Sequence, residues 1–163
     1  MIQLQSLEPD EVQIIIPRVQ DELNARYFYE AAKAWALTNG YDKAAEYFKK
    51  EAEQENQHYI RWIEFLSNWN VNIEFPLIPT PPKFISLQDI LEKAYVMEFN
   101  LLEEYEKDAL NVFPICQKIF RIMQDYVTIQ NDSVIESNDL VTKAYAYLSI
   151  DHNLVLFEKE NFS

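Results

Sequence analysis

A chain of 163 residues that contains a single glycine, Gly40, has few ways to turn sharply. Tight β-hairpin loops need residues at positive φ, which glycine adopts at least steric cost, so a many-stranded fold is poorly provided for. Few, long elements are the natural outcome. Four of the prolines, Pro76, Pro79, Pro81 and Pro82, crowd into one stretch and mark one long connection. Hydrophobic residues make up 48% of the chain and aromatics 14%, which supports a packed core rather than disorder. The length fits a single domain over residues 1–163.

The hydrophobic periodicity predicts an all-α fold of four long helices, and strand alternation is nowhere sustained. The first helix runs from about Pro9 to Thr38, opened by Ser6-Leu7-Glu8-Pro9-Asp10, with proline and acids where a helix start favours them. Pro17 inside it predicts a kink or a later true start, and Asn39-Gly40 ends it. A second helix runs from about Asp42 to Asn70, forming an antiparallel hairpin with the first. Val71 to Ile85 is an extended, proline-rich crossing. Ser86-Leu87-Gln88-Asp89 then reads as the N-cap of a third helix reaching about Asn111. Pro114 starts a fourth, ending near Leu148 or Ser149, and Asn153 to Phe162 forms a short amphipathic fifth helix. Two hairpins joined by one long crossover, between helices two and three, make a four-helix bundle.

A formal net charge of −13 repels a phosphate backbone, so nucleic acid is not an expected partner, while a cation is. Cys116 is the only cysteine, which leaves no intrachain disulfide and favours a reducing compartment. Met1 to Glu11 lacks the basic and then apolar regions of a secretory signal, and no apolar run approaches a membrane span. The expected location is the cytoplasm, with no membrane partner.

The chemistry lies in the apolar stripes. In the second helix the series Ala44, Phe48, Ala52, Glu55, Tyr59, Trp62, Leu66, Trp69 is interrupted by charge only at Glu55. In the first, Ile15, Val19, Glu22, Tyr29, Ala32, Ala36 has Glu22 alone, and in the third, Leu91, Ala94, Glu98, Leu101, Tyr105, Ala109 has Glu98 alone. A buried carboxylate costs several kcal/mol in solvation and persists when paired or bound to metal. No Arg or Lys lies on these stripes. His58, three residues after Glu55, shares its side of the helix, so both can reach one ion. By themselves Glu55 and His58 fit a structural hydrogen bond as well as a metal. With Glu22 and Glu98 on neighbouring helices they match the ligand set of carboxylate di-iron bundles. Read singly, Tyr29 is ordinary core, Trp62 and Trp69 are packing residues, His152 is exposed, and Glu103, Glu104 and Glu106 form a solvated face.

With these residues in view, the chain resembles the non-haem bacterial ferritins over nearly its whole length. The resemblance rests on Leu7-Glu8-Pro9, on Glu22 with Tyr29, and on Ala45 to Ala52 leading into Glu55-Asn56-Gln57-His58. It continues with Glu98, with Tyr126-Val127-Thr128-Ile129-Gln130 and with the tail from Leu154 to Phe162. It implies iron, bound as a di-iron pair and oxidised by O2, and a homo-oligomeric cage of 24 subunits that stores ferric mineral. Site A would be Glu22, Glu55 and His58, with Gln130 nearby. Glu55 would bridge to site B, held also by Glu98. Tyr29 would sit behind the ligands, hydrogen-bonded to one of them or supplying an electron.

The departures from the family pattern carry their own implications. Ser133 stands where the family has a fourth-helix Glu completing site B, and a hydroxyl is the poorer iron ligand. Asp132 lies about 100° away around the helix, and Glu136, one turn along, could reach the site through water. Gln54 and Ile129 occupy positions of the acidic third-iron site. Asn56 stands where bacterioferritin has its haem-ligating Met, so no haem is expected. Two other readings stay open: a subunit with a degenerate site that acts as a structural or regulatory metal-binding partner, and a di-iron oxidase of an organic substrate.

Overall fold

A computed structural model describes residues 2–150 and 153–162. Among them lie five helices, α1 (Pro9–Thr38), α2 (Asp42–Asn68), α3 (Leu87–Val112), α4 (Gln117–Ile150) and α5 (Leu154–Asn161), and no strand. The fold class is the expected one. No helix among the described residues is long and apolar enough to cross a membrane. The expectation for His152 falls outside the described residues.

The helix ends explain most of the small boundary shifts. At the start of α1, Pro9 occupies the first turn and Glu8 and Glu11 form a reciprocal capping box. The helix runs on through Pro17, so the later start does not occur. Pro17 and Gln13 are both exposed, and water can take the Gln13 carbonyl that Pro17 leaves without its donor. Gly40 ends α1 at φ 79°, with Tyr41 N–H returning to the Ala36 carbonyl at 2.9 Å. Asn70 does the same for α2 at φ 57°, with Val71 N–H on the Leu66 carbonyl at 3.0 Å. Asn70 is therefore the left-handed cap and not the last helical residue. Ser86 caps α3, accepting from Asp89 N–H at 3.0 Å. Pro114 does not start α4. It sits in a turn where the N–H groups of Ile115 and Cys116 both return to the Val112 carbonyl, and the helix begins at Gln117.

α1 packs along α2 and α3 along α4, and the crossover, without regular structure over residues 71–84, joins the two hairpins. Gln20 holds it to α1 through both of its amide groups, donating to the Leu77 carbonyl at 2.9 Å and accepting from Leu77 N–H at 3.1 Å. The core divides into two apolar clusters along the bundle. One contains Tyr29, Phe48, Ala94, Leu140 and Phe157; the other contains Ile15, Trp62, Leu101, Tyr105, Ile119 and Tyr126. In each of α1 to α4 the register places a polar layer between them, at Glu22, Glu55, Glu98 and Gln130.

α2 has no side-chain cap of its own. Glu158, buried on α5, supplies one across the fold, accepting from the N–H groups of Lys43 at 2.5 Å and Ala44 at 3.1 Å. A carboxylate there also complements the positive end of the α2 dipole. Glu158→Ala leaves two donors without a partner and lowers the unfolding free energy by about 1–3 kcal/mol. A thermal-melting comparison reads this as a depressed midpoint; an unchanged midpoint contradicts the capping role.

Candidate metal centre

The polar layer is built from one position on each helix, extended by a turn on α2. Glu22 is fully buried, Glu55 is 2% exposed, and His58 lies partly exposed beside them. One ligand atom from each of these three lies within 4.8 Å of the other two. His58 Nδ1 stands 3.1 Å from Glu55 Oε2 and 3.4 Å from Glu22 Oε2. Glu22 Oε2 is screened from water and meets His58 Nδ1 as an ion pair without a well-directed hydrogen bond. An oxygen left this way is costly unless a cation uses it.

Glu98 shares the layer but not the cluster. Its two carboxylate oxygens accept from the Tyr29 hydroxyl and from Gln130 Nε2, and Gln130 also donates to the Glu98 carbonyl at 3.1 Å. Gln130 thus stands against Glu98 rather than against Glu22, Glu55 and His58. Ser133 turns its hydroxyl back onto the Ile129 carbonyl at 3.4 Å, while Asp132 is exposed. Glu136 is also exposed and faces Tyr47.

A reciprocity emerges that sequence reasoning missed. Tyr29 follows Glu22 by seven residues on α1 and bonds Glu98 on α3. Tyr105 follows Glu98 by seven residues on α3 and donates to Glu22 Oε1 on α1. The repeated Glu-x6-Tyr spacing was the available signal, and it requires α1 and α3 to run antiparallel. The same two-fold relation pairs Glu55-x-x-His58 on α2 with Gln130-x-x-Ser133 on α4. One half of the layer has ionisable ligands where the other has neutral ones.

Three further charged residues among those described are buried that the stripes did not announce. Glu51, one turn before Glu55, is 8% exposed. Glu158 is the α2 cap. Arg18 lies behind Tyr105, 2.9 Å from Asp21 and 3.5 Å from both Glu104 and Asp108. Glu104 therefore belongs to this ion cluster and not to a plain solvated face, whereas Glu103 and Glu106 are exposed. Trp62 is packing, as expected, but its indole N–H also donates to the Tyr105 hydroxyl at 2.9 Å.

Burial dominates the electrostatics. It pushes the Glu55 carboxyl well up, against the opposing hydrogen bond from His58, and pushes Glu98 up against its bonds from Tyr29 and Gln130. Burial also lifts Glu51 to about 8, helped by the charges of Glu136 and Glu98. Burial works to lower His58, but its pairing with the Glu22 and Glu55 carboxylates outweighs it and raises the imidazole to about 10. Without a cation, the layer holds itself together by keeping protons.

The sign of the pH dependence follows. A group whose folded pKa exceeds its unfolded one stabilises the fold below the unfolded value and loses that contribution as pH rises through the folded one. Glu51 does so between 4.5 and about 8, and His58 between 6.5 and about 10. The thermal midpoint of the metal-free protein should fall steadily across this range, and Glu51→Gln should flatten the part below about pH 8. A midpoint that rises with pH over that interval contradicts the assignment.

The family model described as a ferritin-like domain matches residues 17–111, which carry Glu22, Glu55, His58 and Glu98. Among solved structures, the chain is similar to an engineered closed form of the Archaeoglobus fulgidus ferritin, at 17% identity and a TM-score of 0.88, covering 96% of each chain. It is similar to the Chlorobium tepidum ferritin at 21% identity and a TM-score of 0.84, covering 94% of this chain and 95% of that one. An iron-soaked PmFTN variant matches at 16% identity and a TM-score of 0.87, covering 95% of this chain and all of that one. These likenesses establish a shared bundle, and the match over more than half its length places the chain in the family of ferritin-like domains.

Proposed function

We propose that this chain is an iron-storage ferritin subunit that takes Fe(II) as its substrate. Fe(II) binds among Glu22, Glu55 and His58, O2 oxidises it there, and the ferric product passes to a mineral inside a cage of 24 copies. The observation that carries the reading is the convergence of two buried carboxylates, Glu22 and Glu55, with the His58 imidazole at one place in the polar layer. Two carboxylates and one imidazole form a donor set that suits iron. A net charge of −13 concentrates cations around the protein. Names of similar proteins add support: they include ferritins and a protein soaked in iron.

The roles divide by residue. Glu55, whose carboxyl feels the charges of both Glu22 and Glu98, would bridge toward a second iron, for which Glu98 is the remaining carboxylate. Tyr29 and Gln130 hold Glu98 in place. Ser133 gives that second position no charged ligand from α4, and Asp132 and Glu136, being exposed, are at most peripheral to it. The second iron is accordingly the weaker one.

A second reading, a subunit that binds one metal without oxidising it, is favoured by the saturation of Glu98 and by Ser133. Stopped-flow mixing of Fe(II)-loaded protein with O2 separates the two. A protein-dependent oxidation faster than autoxidation supports storage with oxidation; binding with no such rate supports the second reading and overturns the first. Glu55→Ala should weaken Fe(II) binding by at least about tenfold, the scale on which even residues that only orient ligands act. Ser133→Glu should raise the number of tightly bound Fe(II) per chain, measured by anaerobic titration, and an unchanged number would contradict the role given to this position.

A further inference from the structure

The formal charge of −13 is unevenly spread, and one groove runs against it. Between the C-terminal part of α2 and the start of α4 lies an open groove of about 360 Å³. Three of the chain's fourteen basic residues, Arg61, Lys118 and Arg121, line it. Phe65 and Ile122 give it apolar surface, and Asn68 adds an amide. None of these residues belongs to the polar layer, and the proposed iron chemistry makes no use of them.

Two of the three cations rest on aromatic faces. The Arg61 guanidinium lies 5.3 Å from the Tyr126 ring centroid, and the Lys118 ammonium lies 4.0 Å from that of Trp69. Such contacts fix where a long side chain places its charge and leave N–H groups free to donate. Two acids, Glu64 and Asp125, share the groove, so three positive charges meet two negative ones. Asp125 pairs with Arg61 at 2.5 Å, while Lys118 and Arg121 have no acidic partner among the described residues. A local excess of positive charge is unusual in a chain with 27 acids and 14 bases.

We propose that this groove binds one small tetrahedral oxyanion of the phosphate class, held by Arg121, Lys118 and Arg61. The planar fork of Arg121 takes two oxygens of such an anion at once, and Lys118 sets a point charge beside it. Arg61 gives one N–H to Asp125 and keeps others for a further oxygen. The apolar surface of Phe65 and Ile122 lowers the local dielectric and strengthens each contact. A long polyanion would run from these cations onto the acidic surface around them, whereas a compact anion meets the cations alone. Arg61 follows His58 by three residues on α2, and Tyr126, beneath its guanidinium, donates to the His58 carbonyl at 2.6 Å. The oxyanion therefore lies about one helical turn from an iron ligand without touching it.

Equilibrium dialysis of the metal-free full chain against radiolabelled inorganic phosphate, at low ionic strength, tests the site with no iron present. The expected result is saturable binding of one phosphate per chain, displaced by sulfate and not by chloride at equal ionic strength. Arg121→Gln and Lys118→Gln together should weaken it by more than about tenfold, since each removes a charge-assisted hydrogen bond. Both side chains are exposed, so the bundle keeps its fold, and a far-ultraviolet circular dichroism spectrum checks this. Lys50→Gln removes an equally exposed lysine from the other half of α2 and should leave the binding unchanged. No saturable binding, displacement by chloride, binding that survives the double substitution, or an equal loss in Lys50→Gln overturns the site. Each of those results leaves the proposed iron oxidation standing, because no metal enters the measurement. Failure of iron oxidation likewise leaves this site standing.

Discussion

Two buried carboxylates, each bonded by a tyrosine from the opposite helix, fix the middle of this bundle. Glu22 and Glu98 are fully buried, and an isolated charge in such a place costs several kcal/mol. The Tyr105–Glu22 and Tyr29–Glu98 bonds offset part of that cost, and they can form together only in one register of α1 against α3. A slip by one turn on either helix would break both bonds at once and carry the acids into one of the flanking apolar clusters. The polar layer therefore specifies the alignment of the bundle as well as its chemistry. The apolar clusters on either side supply the larger share of the burial that makes the fold stable.

The layer is symmetric in its tyrosines and acids and asymmetric in everything else. On the α2 side, Glu55 and His58 complete a cluster whose charges call for a cation. On the α4 side, Gln130 donates to Glu98 and Ser133 turns away to the Ile129 carbonyl. Neutral donors satisfy Glu98 without any ion. Under the proposed function, Fe(II) would displace the proton held by His58 in one half, and in the other it would first have to displace hydrogen bonds already made.

The helices and three of the four positions of the polar layer were legible because burial leaves a strong mark on sequence. Glu22, Glu55 and Glu98 each interrupt a stripe that is otherwise apolar, and all three are buried. Gly40 and Ser86 announced the ends they make, since few residues can serve there. Features that depend on two distant segments left a weaker mark. Glu158 caps α2 from α5, and nothing local to Asp42 signals it. Glu51 falls off the heptad-like series because the buried face of α2 is wider than one residue per turn. Tyr105 appeared on its stripe as an apolar residue, and a phenol reads as core until the partner of its hydroxyl is known. Arg18 was passed over because its neighbours Glu104 and Asp108 come from another helix.

The central claim is that Glu22, Glu55 and His58 converge to hold iron. Diffraction from a crystal soaked aerobically in Fe(II), with data collected on both sides of the iron absorption edge, tests it most directly. The account predicts a strong anomalous peak ligated by those three side chains, with any peak beside Glu98 weaker. Iron found only on the acidic surface, with the space among Glu22, Glu55 and His58 empty, would contradict it.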